Sequence, residues 1–198
     1  MLELLGGDLT EDEAVSLMGE LKDQLHFTKD ILDRITLWAR MRMEGGAQLN
    51  LVHLDYVKSQ AEEYAHRFAK QYEVVIKVDW QEGLTVMSDA DVLIIAITNL
   101  ANNAVKYSPR NGVVTLGAKR EGGNVVITVS DQGRGLPTED VEKLLNPKEK
   151  DEFAINTDSM GIGLFLAREF VELTNGKLAA RNLPKKGAQF SITLGAQI

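Results

Sequence analysis

Asn99 and Asn103 stand one helical turn apart in the run Asn99-Leu100-Ala101-Asn102-Asn103-Ala104-Val105-Lys106-Tyr107-Ser108-Pro109. Side chains four apart on a helix emerge from one face, so both amides point the same way. Buried among Ile94, Ile95, Ile97, Leu100, Ala101 and Ala104, two such amides are costly without partners. A hydrated divalent cation carrying phosphates is one such partner, because Mg²⁺ prefers oxygen ligands and keeps several waters. Capping of a neighbouring loop, or plain exposure, is the other reading of an Asn pair. Lys106 can meet a phosphate as a point charge, or stand as a solvated cation at a helix end. Tyr107 can cover a base or ribose while its hydroxyl donates.

Two glycine loops follow. In Asp131-Gln132-Gly133-Arg134-Gly135-Leu136-Pro137 a carboxylate sits where a strand ends and a turn begins. A carboxylate accepts hydrogen bonds; adenine offers an exocyclic amine where guanine offers a carbonyl oxygen. A buried Asp131 would therefore select adenine, with Gly133 and Gly135 allowing close backbone approach. An ordinary strand-end turn also contains Asp-x-Gly. Gly161-Ile162-Gly163-Leu164 then opens an apolar helical pattern carrying Leu166, Phe170 and Leu173. Free amides at a helix start bind anions, and glycine removes the side chains that would block a phosphate. No Gly-Lys-Ser/Thr follows, so this is not a Walker A loop, and it lacks the glycines of a dinucleotide fingerprint.

In this order and at these separations the three segments resemble the N, G1 and G2 boxes of the GHKL ATPases, and most closely the catalytic domain of sensor histidine kinases. The resemblance covers about Gln48 to the C-terminus and implies a Bergerat ATP-binding fold with ATP and Mg²⁺ as cofactors. It places Asn103 as the main Mg²⁺ ligand and Asn99 where related ATPases carry a catalytic Glu. An Asn there cannot act as a general base, which favours phosphoryl transfer to a partner over hydrolysis. By the same resemblance Lys106 contacts phosphate, Tyr107 the nucleoside and Asp131 the adenine. Gly133, Gly135, Gly161, Gly163 and Leu164 would line the base and phosphates, and Asp89 would open the helix of the N box. The family's phenylalanine-bearing box has only Phe153 as a loose match, and Asn146 to Met160 would form a short lid. Lys148 and Lys150 could touch phosphates from that lid or stand in solvent. The rival reading is a nucleotide-regulated or degenerate GHKL interaction module, anti-sigma-like or a pseudokinase, with the long helix docking a partner.

The elements that must hold these residues can be read from periodicity. From Thr10 to about Met43 runs one helical pattern, opened by the capping box Thr10 to Glu13. Leu21, Leu25, Thr28, Leu32, Ile35 and Ala39 give a four-three seam that wants a partner helix, widened by Ile31 and Trp38. Met1 to Leu5 and Gly6-Gly7-Asp8 read as the end of a preceding helix and a turn, or else as a frayed N-terminal tail. Residues 1–46 thus resemble part of a kinase dimerisation hairpin, and 47–198 the ATP-binding domain. The family's phospho-accepting His lies on the first hairpin helix with an acidic follower. His26, His53 and His66 precede Phe27, Leu54 and Arg67, so the acceptor is expected outside this segment.

From Gln48 the expected order is a strand at 49–54, then a helix at 55–73 with Tyr56, Ala61, Tyr64, Ala65 and Phe68 inward. Strands follow at 74–80 and 84–87, then a largely buried helix at 89–107. Hairpins at 113–131 and 178–194 flank a short helix after Pro137 and a helix at 163–175. The fold class is α+β, a two-layer α/β sandwich preceded by a long helix from a helical hairpin.

Composition agrees with this and narrows it. A formal charge of −7 over 198 residues argues against a nucleic-acid binder, which needs a basic face. No cysteine is present, so disulfides and thiolate metal sites are excluded. No apolar run reaches membrane length and no signal peptide opens the chain, so a cytoplasmic location is expected, with any membrane anchor elsewhere in the parent protein. The resemblance adds a response regulator receiver domain as partner, and self-association through the hairpin in the full-length protein.

Overall fold

A computed structural model of the chain describes residues 10–43, 45–136 and 161–197. The turn expected before Thr10, the short helix after Pro137, the lid segment and Lys148, Lys150 and Phe153 lie outside the described residues. The chain divides into two compact units, one up to Arg40 and one from Met41 onward.

In the first unit, helix α1 (Glu11–Met43) begins directly after Thr10 and continues into the second. Leu21, Leu25, Leu32 and Ile35 of the expected seam are exposed, and Ala39 is half-buried. The side chain of Ile31 lies outside the described residues.

The second unit is built on alternation. In β5 (Asn124–Ser130) Val125, Ile127 and Val129 are buried; in β7 (Ala188–Gly195) Ala188, Phe190, Ile192 and Leu194 are. Every second side chain of a strand faces one side, so these residues make a single apolar face that must be covered. The sheet is completed by β2 (Val75–Trp80), β4 (Val113–Glu121) and β6 (Lys177–Asn182) in the order β2-β4-β5-β7-β6. Only the β2–β4 pair is parallel. The two expected hairpins are present as β4–β5, turning through Gly122-Gly123, and β6–β7. A separate antiparallel pair joins β1 (Asn50–His53) to β3 (Thr85–Ser88).

Among the described residues three helices form the second layer: α2 (Leu54–Tyr72), α3 (Ala90–Tyr107) and α4 (Gly161–Leu173). Helix α3 is apolar on most faces and buries Val92, Leu93, Ala96, Ile97, Leu100, Ala101, Ala104 and Val105. Its start is fixed by Asp89, whose Oδ1 accepts from Asp91 N–H at 3.1 Å and Val92 N–H at 3.3 Å. That is an N-cap, and it satisfies two donors that a helix start leaves open. At the other end Ser108 is extended, as Pro109 requires of its predecessor.

One inward face differs from expectation. Tyr56 is 54% exposed, and α2 instead turns Leu54, Val57, Ala61, Ala65 and Ala69 into the core. The three-and-four spacing runs through Leu54 and Val57; Tyr56 lies about 100° around the helix from Val57, off that stripe. Among the described residues no helix is long and apolar enough to cross a membrane.

Candidate functional site

Helix α3 carries Asn103 and Tyr107 into a cleft that α4 and β7 close from the far side. Asn103, Tyr107, Asp131, Gly135 and Leu164, five of the residues singled out from sequence, line that cleft together. Ala104, Leu136, Ala188 and Phe190 complete the lining, and none had been singled out. The alternation of β7 held the signal for Ala188 and Phe190, since both fall on its helix-facing side. Asn99 lies one turn deeper, 2% exposed. Lys106 is exposed and outside the lining, because a step of three from Asn103 rotates it toward the helix flank. Gly133 and Gly163 are also outside it.

Asp131 is the chemical centre of the cleft. It is 6% exposed, and its Oδ1 accepts from the backbone N–H of Gly133 at 2.7 Å and of Ala188 at 3.2 Å. Its Oδ2 makes no hydrogen bond with any described residue. Burial pushes the carboxyl pKa up from its ordinary value, while the two backbone donors pull it back down. The result is a fixed acceptor with one oxygen held by two backbone donors.

The glycines of this loop turn their missing side chains toward protein. A Cβ at Gly133 would strike the carbonyl oxygen of Tyr107 and stand 2.9 Å from Asp131 Oδ1. The strand-end loop and the end of α3 thus touch backbone to backbone. Above this contact the Arg134 guanidinium lies 5.7 Å from the centroid of the Tyr107 ring, within cation–π range.

At the start of α4, a Cβ on Gly163 would sit 3.9 Å from both the oxygen and the nitrogen of the Asn103 amide. The first turn of α4, rich in open N–H groups, therefore faces Asn103 directly. Asn103 Nδ2 is buried and makes no hydrogen bond with a described residue. A buried amide nitrogen left open beside a helix N-terminus suits an anion, since both present N–H donors, while the oxygen of the same amide is the type of ligand that a hydrated Mg²⁺ takes. Among the described residues no three His, Cys, Asp or Glu side chains cluster into a metal site.

Helix α4 is anchored by an ion-pair network with no counterpart in the sequence reading. Glu169, 4% exposed, bonds Arg42 at 2.6 Å and Arg168 at 3.0 Å, and Arg168 reaches Glu172 at 3.6 Å. Both Arg42 and Glu169 belong to the second unit. The pair spans 127 residues, so nothing local signals it.

Residues 88–198 match the family model described as histidine kinase-, DNA gyrase B-, and HSP90-like ATPase. The chain is 29% identical over 162 residues to the sensor-like histidine kinase SenX3 of Mycobacterium tuberculosis, an alignment covering 79% of this chain and 40% of that protein. It is also 29% identical over 201 residues to the adaptive-response sensory kinase SasA of a Synechocystis species, covering 98% of this chain and 52% of the relative. The chain thus spans between two fifths and about half of the length of these two relatives. Among solved structures, full-length ShkA in complex with AMPPNP superposes with a TM-score of 0.70 at 21% identity, over 96% of this chain and 40% of that one.

Proposed function

Because the chain belongs to the family of histidine kinase-, DNA gyrase B- and HSP90-like ATPases and is close to sensor kinases, we propose that it binds Mg·ATP in the cleft between α3 and α4 and transfers the γ-phosphoryl group to a histidine outside this segment. The observation that carries this reading is Asp131: a buried carboxylate with one oxygen committed to two backbone amides and the other open to the cleft. Adenine presents an amine to such an acceptor; guanine presents an oxygen and is repelled.

Around that anchor the remaining roles follow. Tyr107 and Leu164 cover the nucleoside. The amides at the start of α4, from Gly161 to Gly163, hold phosphate oxygens, and Lys106 swings its charge in from the flank. Asn103 holds Mg²⁺ through its amide oxygen, with Asn99 beneath it. Bound Mg²⁺ neutralises charge on the phosphates, the main service that phosphoryl transfer needs beyond alignment. An amide at Asn99 takes no proton from water, so the site favours an external acceptor over hydrolysis. Residues 1–46 belong in this reading to a dimerisation hairpin and 47–198 to the catalytic domain. The parent protein works in the cytoplasm, passing phosphate on to a response regulator receiver domain.

The test is transfer in trans. The chain is incubated with γ-labelled ATP and a complete helical hairpin bearing an acceptor histidine. Acid-labile label on the hairpin, lost with Asn103→Ala, is expected. Steady release of phosphate with no label on the hairpin would overturn transfer in favour of hydrolysis.

A further inference from the structure

The loop that starts at Asp131 ends against a side chain 46 residues away. The backbone N–H of Leu136 donates to Oδ1 of Asn182 at 2.7 Å, and Nδ2 of Asn182 donates to the Leu136 carbonyl at 2.8 Å. One primary amide thus satisfies both backbone groups of a single residue, as a paired strand would. There is room for it because residue 135 is glycine: φ is +80° there, and a Cβ would stand 2.8 Å from Asn182 Oδ1.

Asn182 closes β6, where its backbone is in register with Ala188 of β7. Ala188 in turn donates its N–H to Asp131. A single rung of the sheet therefore holds both ends of the 131–136 loop, Asp131 through Ala188 and Leu136 through Asn182. The job needs a donor and an acceptor on one short side chain, which a primary amide supplies. An aspartate would accept from the N–H but set a negative oxygen against the Leu136 carbonyl, and an alanine would leave both groups to water.

We propose that Asn182 is a positioning residue for the nucleotide: its two-bond clamp fixes Leu136 as a wall of the cleft at the adenine end. The proposal rests on the nucleotide reading above. Asn182 touches no reacting atom; it acts through the loop it holds. Its effect is confined to the base end of the ligand, whereas Asn103 acts at the phosphate end.

The test compares wild type, Asn182→Ala, Asn182→Asp and Asn103→Ala. Calorimetry with ADP and with adenosine gives the affinities, hydrogen exchange at the Leu136 amide reports the clamp, and thermal melting reports the fold. In Asn182→Ala both ligands should weaken by the same factor, about tenfold, as expected when two partly exposed hydrogen bonds are lost. Asn182→Asp should do no better, Leu136 exchange should quicken in both, and the melting temperature should fall by no more than about a few degrees. Asn103→Ala should weaken ADP and spare adenosine. Faster Leu136 exchange with unchanged affinity for both ligands would overturn the proposal, as would a lowered melting temperature with unchanged affinity. A wild type that binds neither ligand, with the Leu136 amide still protected, would instead strike the nucleotide reading and take the proposal with it.

Discussion

Replacing Asp131 with Asn changes almost nothing in shape and inverts the chemistry of one atom. The amide oxygen can take over the bonds from Gly133 N–H and Ala188 N–H, at 2.7 and 3.2 Å in the wild type. The amide nitrogen then occupies the place of Oδ2, the oxygen with no described partner. A bound adenine would present its amine to a second donor. The loss has two parts: a hydrogen bond to a charged acceptor, about 1.5–3 kcal/mol, and a polar group left unpaired in a buried site, about 1–3 kcal/mol. Together about 3–4 kcal/mol is expected, roughly 10²- to 10³-fold in Kd. Titration calorimetry with ADP and Mg²⁺ measures it, and the melting temperature of the free protein guards against unfolding as the cause. It should stay close to wild type, since the substitution also removes a carboxylate whose burial is unfavourable. An ADP affinity within threefold of wild type would refute the assignment of Asp131 to the base.

The same carboxyl predicts two pH effects. Its folded pKa lies above the ordinary 3.8, so its contribution to stability is full below 3.8 and is lost as pH rises through the raised value. Measured as wild type minus Asp131→Asn, the melting temperature should therefore fall across that window; a rise would contradict the direction of the shift. Adenosine affinity should weaken as pH drops into the same window, because the protonated carboxyl offers a poorer acceptor. Gly133→Ala should cost about 1–3 kcal/mol and most of the nucleotide affinity, since the new methyl meets the backbone of Tyr107 rather than a yielding side chain. An alanine variant with wild-type melting and ADP binding would refute that contact. Glu169→Ala leaves Arg168, 18% exposed, without its buried carboxylate, while Arg42, 57% exposed, can rehydrate. About 1–3 kcal/mol of destabilisation is expected in chemical denaturation, below the range for fully buried pairs; none at all would mean the network only decorates α4.

Periodicity and glycine turns made most of the second unit legible. Alternation marked β5 and β7, apolar crowding marked α3, and Asp89 and Pro109 bracketed it. Tyr56 was misplaced because an aromatic ring near a helix start was credited with burial that its angular position denies it. Pairings across long separations carry no local trace. Asn182 looked like the last residue of a strand and Glu169 like one more helix carboxylate; their partners lie 46 and 127 residues away. Gly187 was legible only as a turn. In the fold its φ is +96° and it packs against the carbonyl of Asp131, a contact that needs β7 in place. The parallel β2–β4 pair was equally hidden, since a parallel neighbour requires a crossover and leaves no hairpin signature.

Strand β7 lies between β5 and β6, yet it is the last strand of the chain. During synthesis the β4–β5 hairpin, the Asn amides and Asp131 can all exist before it, but the Ala188 N–H that orients Asp131 cannot. Such late, distant pairing is slow compared with hairpin closure. In the role proposed for Asp131, adenine recognition is thus absent from every partially folded form that lacks this strand, and it switches on only with the completed sheet. Nucleotide in the surrounding medium then stabilises finished molecules alone, drawing the folding equilibrium toward them by mass action.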